Sequence, residues 1–61
     1  MEYYVVQENR GGLWCDEDTN LPSYEKALES LRYRLYEARK HKVSNPEDLY
    51  RIVKRIDTVM R

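Results

Sequence analysis

One cysteine, Cys15, is all this chain has, so no internal disulfide can form. Small secreted domains of similar length usually carry several. His41 is the only histidine. One Cys and one His cannot make a structural zinc site, and a nucleophilic thiol needs a base beside it. Cys15 instead precedes the acids Asp16 and Glu17, whose charges suppress a thiolate, and reads as a buried or half-buried hydrophobe. The only glycines, Gly11 and Gly12, are adjacent. That suits a turn, where positive φ is needed, and leaves no glycine-rich phosphate loop. Long apolar runs are missing too: a membrane span needs about 20 such residues, and nothing here approaches that. The start, MEYYVVQENR, lacks the basic region and long apolar stretch of a signal peptide. These absences point to a cytoplasmic, non-catalytic single domain over residues 1–61, without cofactor, metal or membrane contact. A chain of this length buries only about 60% of its unfolded surface, which leaves no room for a supported cofactor cleft.

What is present is charge, and it is segregated. The 11 acidic and 11 basic residues cancel, but residues 1–31 hold seven acids against Arg10 and Lys26. Residues 32–61 hold nine bases against Glu37, Glu47, Asp48 and Asp57. The halves are thus about −5 and +5. Such a chain can steer toward a charged partner, or its halves can neutralise each other on folding.

The segment Glu2 to Glu8 (EYYVVQE) is strand-like, with Tyr3 and Val5 on one face and Tyr4 and Val6 on the other. Two apolar faces suit a central strand. Asn9-Arg10-Gly11-Gly12 predicts a turn, and Leu13-Trp14-Cys15 a short returning strand. Asp16 to Pro22 reads as a polar connector. Asp16, Asp18 and Asn20 alternate as calcium ligands do, but no glycine follows at the bend, so a solvated loop is expected. From Ser23, a capping residue, apolar positions at Tyr24, Ala27, Leu28, Leu31, Leu35 and Ala38 trace one helical stripe. Arg39, Lys40 and His41 end it where the helix dipole favours cations. A helix over about 23–41 is expected, with Leu28, Leu31 and Leu35 buried and Tyr33 turned outward.

Residues 46–60 fit two readings. Asn45, Pro46, Glu47 and Asp48 resemble a helix start, and Leu49, Ile52, Val53, Ile56 and Val59 fit a helical stripe. The β-branched content from Ile52 to Val59 favours a strand. A third strand antiparallel to the first gives sheet order 2-1-3, an α+β fold of ββαβ pattern with the helix on one face. The alternative is ββαα, with a second helix at the carboxyl end.

The opening EYYVVQE, the hairpin ending in Trp14 and Asp16, the SYEKALESL helix and the ending Tyr50-Arg51-Ile52-Val53-Lys54-Arg55 together resemble small, mostly uncharacterised bacteriophage accessory proteins. That resemblance implies that the last segment is a strand and that the chain works in the host-cell cytoplasm. It further implies binding to a host protein or defence complex, which is inhibited or redirected.

Two surfaces are candidates for binding. On the helix, Tyr33 and Tyr36 lie away from the apolar stripe among Arg32, Arg34, Arg39 and Lys40, and Tyr and Arg are enriched at interface hot spots. On the uncovered sheet face, Arg51, Val53 and Arg55 would join one Tyr/Val pair of the first strand. The partner-binding set is therefore Arg32, Tyr33, Tyr36, Arg39, Lys40, Arg51 and Arg55. A host or phage protein is the first expected partner. Nucleic acid bound through the basic carboxyl-terminal half is a second, because open aromatic–basic sheets stack bases, although a neutral chain gains little from phosphate neutralisation. A self-associating homodimer, pairing through the sheet face or edge, is a third.

Overall fold

A computed structural model describes residues 2–56 and gives the ββαβ order. Strands β1 (Glu2–Arg10) and β2 (Leu13–Leu21) form a hairpin, helix α1 (Tyr24–Lys40) follows, and β3 (Tyr50–Ile56) closes an antiparallel sheet of order β2-β1-β3. The second helix of the ββαα alternative is replaced by β3, whose β-branched residues pair along β1 from Glu2↔Ile56 to Glu8↔Tyr50. The helix-start signal at Asn45-Pro46 is spent on one 3₁₀ turn, Pro46–Asp48. Asn45 takes a left-handed conformation there and makes no side-chain cap. The expectations for residues 57–60 lie outside the described residues.

The hairpin turns on Gly11 and Gly12, both at positive φ (61° and 92°), between the paired Arg10 and Leu13. Two residues at positive φ give the twist that matches flanking strands. Asn9 Oδ1 accepts the Gly12 N–H at 2.8 Å and fixes the turn. β2 does not stop at Cys15. It runs on through Asp16-Glu17-Asp18 to Leu21, where a polar connector was expected. Acids have poor strand propensity, but here each finds a cation or hydroxyl on a neighbouring element. The register shifts between Val6↔Asp18 and Gln7↔Asp16, so Glu17 is an extra residue on β2. Asp16 consequently reaches Arg55 on one side of the sheet, and Asp18 reaches Ser30 and Arg34 on the other. The alternating acids thus turn to opposite faces.

Ser23 caps α1, its hydroxyl accepting the Lys26 N–H at 3.2 Å. At the other end the Lys42 N–H reaches the Arg39 carbonyl and the Val43 N–H reaches that of Ala38. These paired bonds make a Schellman closure, with Lys42 at φ 59° where glycine is usual. The helix meets the sheet through alanines: Ala27 is wholly buried and Ala38 nearly so. Eleven residues are close to three turns, which puts both on one line facing the sheet. Leu28, Leu31 and Leu35, expected to be buried, are only half-buried. Arg34 takes part of the inner seam, drawn to Asp18 at 3.2 Å and Glu17 at 4.0 Å. Tyr24 is half-exposed and meets Tyr4 edge to face, with ring centroids 5.9 Å apart. No helix among the described residues is long and apolar enough to cross a membrane.

The segregated charges meet on folding. Glu2 pairs with Lys54, Asp16 with Arg55, and Glu17 and Asp18 with Arg34, each joining the acidic first half to the basic second.

Candidate functional site

The seven expected contact residues fall on two surfaces with the sheet between them. Arg32, Tyr33, Tyr36, Arg39 and Lys40 share the outer side of α1. Tyr33 and Tyr36 are 65% and 59% exposed, and three residues of helix separate them by only about 60° around the axis. Arg39 is held by Glu47. Arg32 and Lys40 have no ion-pair partner among the described residues, so the carboxyl-terminal half of this face carries two tyrosines beside unneutralised cations. Arg34, expected among them, points inward to β2 instead.

Tyr33 also lines a groove of about 410 Å³ between the end of α1 and the sheet, together with Glu37, Ala38, Val43, Leu49 and Tyr50. The Tyr50 hydroxyl donates to Glu8 at 3.1 Å. Burial, then that bond to a carboxylate, raise the Tyr50 pKa. The Glu8 carboxyl is held below its ordinary range chiefly by the Arg10 guanidinium. This corner is therefore tied to itself, and Tyr33 remains its outward element.

Arg51 and Arg55 lie on the other face of the sheet. With them stand Tyr3, Val5 and Gln7 from β1, Val53 from β3, and Trp14 and Asp16 from β2. No helix among the described residues covers this face, yet Val5 is fully buried and Gln7 is 4% exposed. A hydrogen-bonded chain of side chains, Gln7 among them, crosses this face from β3 to β2. Arg55 grips Asp16 with both Nη atoms, at 2.6 and 3.1 Å. Asp16 accepts from Gln7 Nε2 at 2.8 Å, and Gln7 Oε1 accepts from Arg51 Nε at 2.7 Å. The Arg51 guanidinium then stacks over the Trp14 ring at 4.2 Å. Arg55, and after it Gln7, hold the Asp16 carboxyl below its usual range. Asp18 on the helix side is lowered first by Ser30 and then by Arg34.

Gln7, Trp14 and Asp16 were missing from the expected set. Their shared face follows from the two-residue turn at Gly11-Gly12 and the regular register it sets, Asn9↔Trp14 and Gln7↔Asp16, once β2 is known to run past Cys15. Comparison with protein families, curated proteins and solved structures finds no match.

Proposed function

We propose that this chain is a non-catalytic binding module that docks the outer face of α1 onto an acidic surface of a protein partner. The carrying observation is the pair Tyr33 and Tyr36, two large aromatic side chains held in solvent beside Arg32 and Lys40, which lack carboxylate partners among the described residues. Exposed tyrosine gives much contact area for little lost entropy, and unneutralised cations select an acidic partner. Most other charges among the described residues are paired, so these groups are among those with contacts still to make. The resemblance to small bacteriophage accessory proteins adds that the partner is a host protein, inhibited or redirected by being covered.

The test is capture from host lysate with the wild type and with the double variant Tyr33→Ala/Tyr36→Ala, their melting temperatures being compared in parallel. The expected outcome is a protein retained by the wild type, released by rising salt, and lost by the variant at unchanged fold. A partner held equally by both, or none above background, contradicts the proposal.

A further inference from the structure

The uncovered face of the sheet has a feature that folding alone does not require. Of the Arg51 side-chain donors, Nε is used by Gln7. Among the described residues neither Nη atom has an acceptor, and no carboxylate lies within salt-bridge distance. The guanidinium is nevertheless fixed. Gln7 holds one edge, and the Trp14 ring backs one of its two flat sides at 4.2 Å. The other flat side and the Nη donors face solvent, since Arg51 is exposed. A guanidinium locked in plane loses little entropy on engaging a ligand and offers a stacking surface together with a forked donor set.

The rest of the face fits the same ligand chemistry. Four residues along β1 from the Gln7↔Arg51 pair stands a second pairing of an aromatic with an arginine, Tyr3↔Arg55. At strand spacing the two lie about 13 Å apart. Among the described residues the one acid on this face, Asp16, is already consumed by Arg55 and Gln7. The face thus combines, among the described residues, flat π surfaces, an unpaired cation and no unneutralised carboxylate.

We propose that this face binds single-stranded nucleic acid, with bases stacked on the Arg51–Trp14 pair and on Tyr3 and a backbone phosphate on the Arg51 Nη atoms. Unstacked bases need planes of this kind, which proteins supply as aromatic rings or guanidinium groups. A duplex keeps its bases stacked and offers a flat sheet only phosphates. An acidic peptide would use the fork and leave the stacking surfaces idle. With about one unpaired cation, binding is weak and sensitive to salt. The site lies across the sheet from the α1 surface and stands or falls independently of it.

Trp14 is the only tryptophan, so its emission reports on the site directly. The protein is titrated with short oligothymidylate and oligouridylate at about 20 mM salt, where the electrostatic contribution is greatest. Variants are compared through the anisotropy of labelled oligonucleotide. A saturable change in Trp14 emission is expected with at least one of the two, and a response to only one names the preferred sugar. Arg51→Ala should weaken binding about tenfold, the scale of one lost stacking contact. Arg51→Lys, which keeps the charge and loses the plane, should weaken it several-fold, and Tyr33→Ala should leave it unchanged. Circular dichroism confirms that each variant is folded. Silence of Trp14 toward both oligonucleotides overturns the assignment. So does an equal response to polyglutamate, or full retention of binding in a folded Arg51→Lys protein.

Discussion

Val5 and Val6 are neighbours in β1, point to opposite sides of the sheet and are both wholly shielded from water, yet different materials cover them. Val6 lies on the side of α1, where Ala27 and Ala38 bring the helix close. Val5 lies under side chains of the sheet itself: the hydrogen-bonded run Arg55–Asp16–Gln7–Arg51, ending on Trp14. On the face away from the helix, long polar side chains lay their stems along apolar surface while their heads bond to one another. Such a cover shields the core and still presents donors to solvent, which a helix does not.

The largest expected effects strike both valines alike. Val5→Ala and Val6→Ala should each cost about 2 kcal/mol in chemical denaturation, the transfer of two methyl groups plus the space left behind. If only Val6→Ala is costly, the polar cover does not shield Val5. Next comes Gln7→Ala, which strips Arg51 Nε and Asp16 of a nearly buried partner and should cost about 1–2 kcal/mol. Lys42→Gly acts in the other direction. It relieves the left-handed conformation that closes α1 and should add about 1 kcal/mol to stability, seen as a higher melting temperature.

Acid should act on both faces. The carboxyls of Asp16 and Asp18 are both lowered in the folded protein. Their contribution is present above the ordinary unfolded value near pH 4 and is lost as pH falls through the depressed folded values. Melting temperature should therefore drop in that acid range. Asp16→Asn and Asp18→Asn should each flatten part of the drop, because each removes one of the two lowered carboxyls. Smallest of all, Tyr33→Ala should change stability by less than about 0.5 kcal/mol, as expected for an exposed side chain.

The same contrast shows what the sequence made legible. Apolar residues on both sides of Glu2 to Glu8 marked a central strand, and the stripe from Tyr24 to Ala38 marked the helix. With the 2-1-3 order, those features placed Arg51, Val53 and Arg55 on the open face. The course of β2 was not legible, because Asp16, Glu17 and Asp18 have no strand character of their own and acquire it from Arg55, Arg34 and Ser30. Nor was the depth of the leucines. Leu28, Leu31 and Leu35 have the right spacing, but Arg34 turns inward to meet the β2 acids and leaves the leucines on the flanks. Gln7 gave no signal at all. Its burial depends on partners 9 and 44 residues away.

Acrylamide quenching of Trp14 tests most directly whether side chains alone close the open face. If Arg51 is stacked on the indole and held there by Gln7, both Arg51→Ala and Gln7→Ala will raise the quenching constant, while Tyr33→Ala will leave it unchanged. A quenching constant in folded Arg51→Ala equal to that of the wild type would show that Trp14 is not covered in this way, and the polar cover over Val5 would lose its anchor.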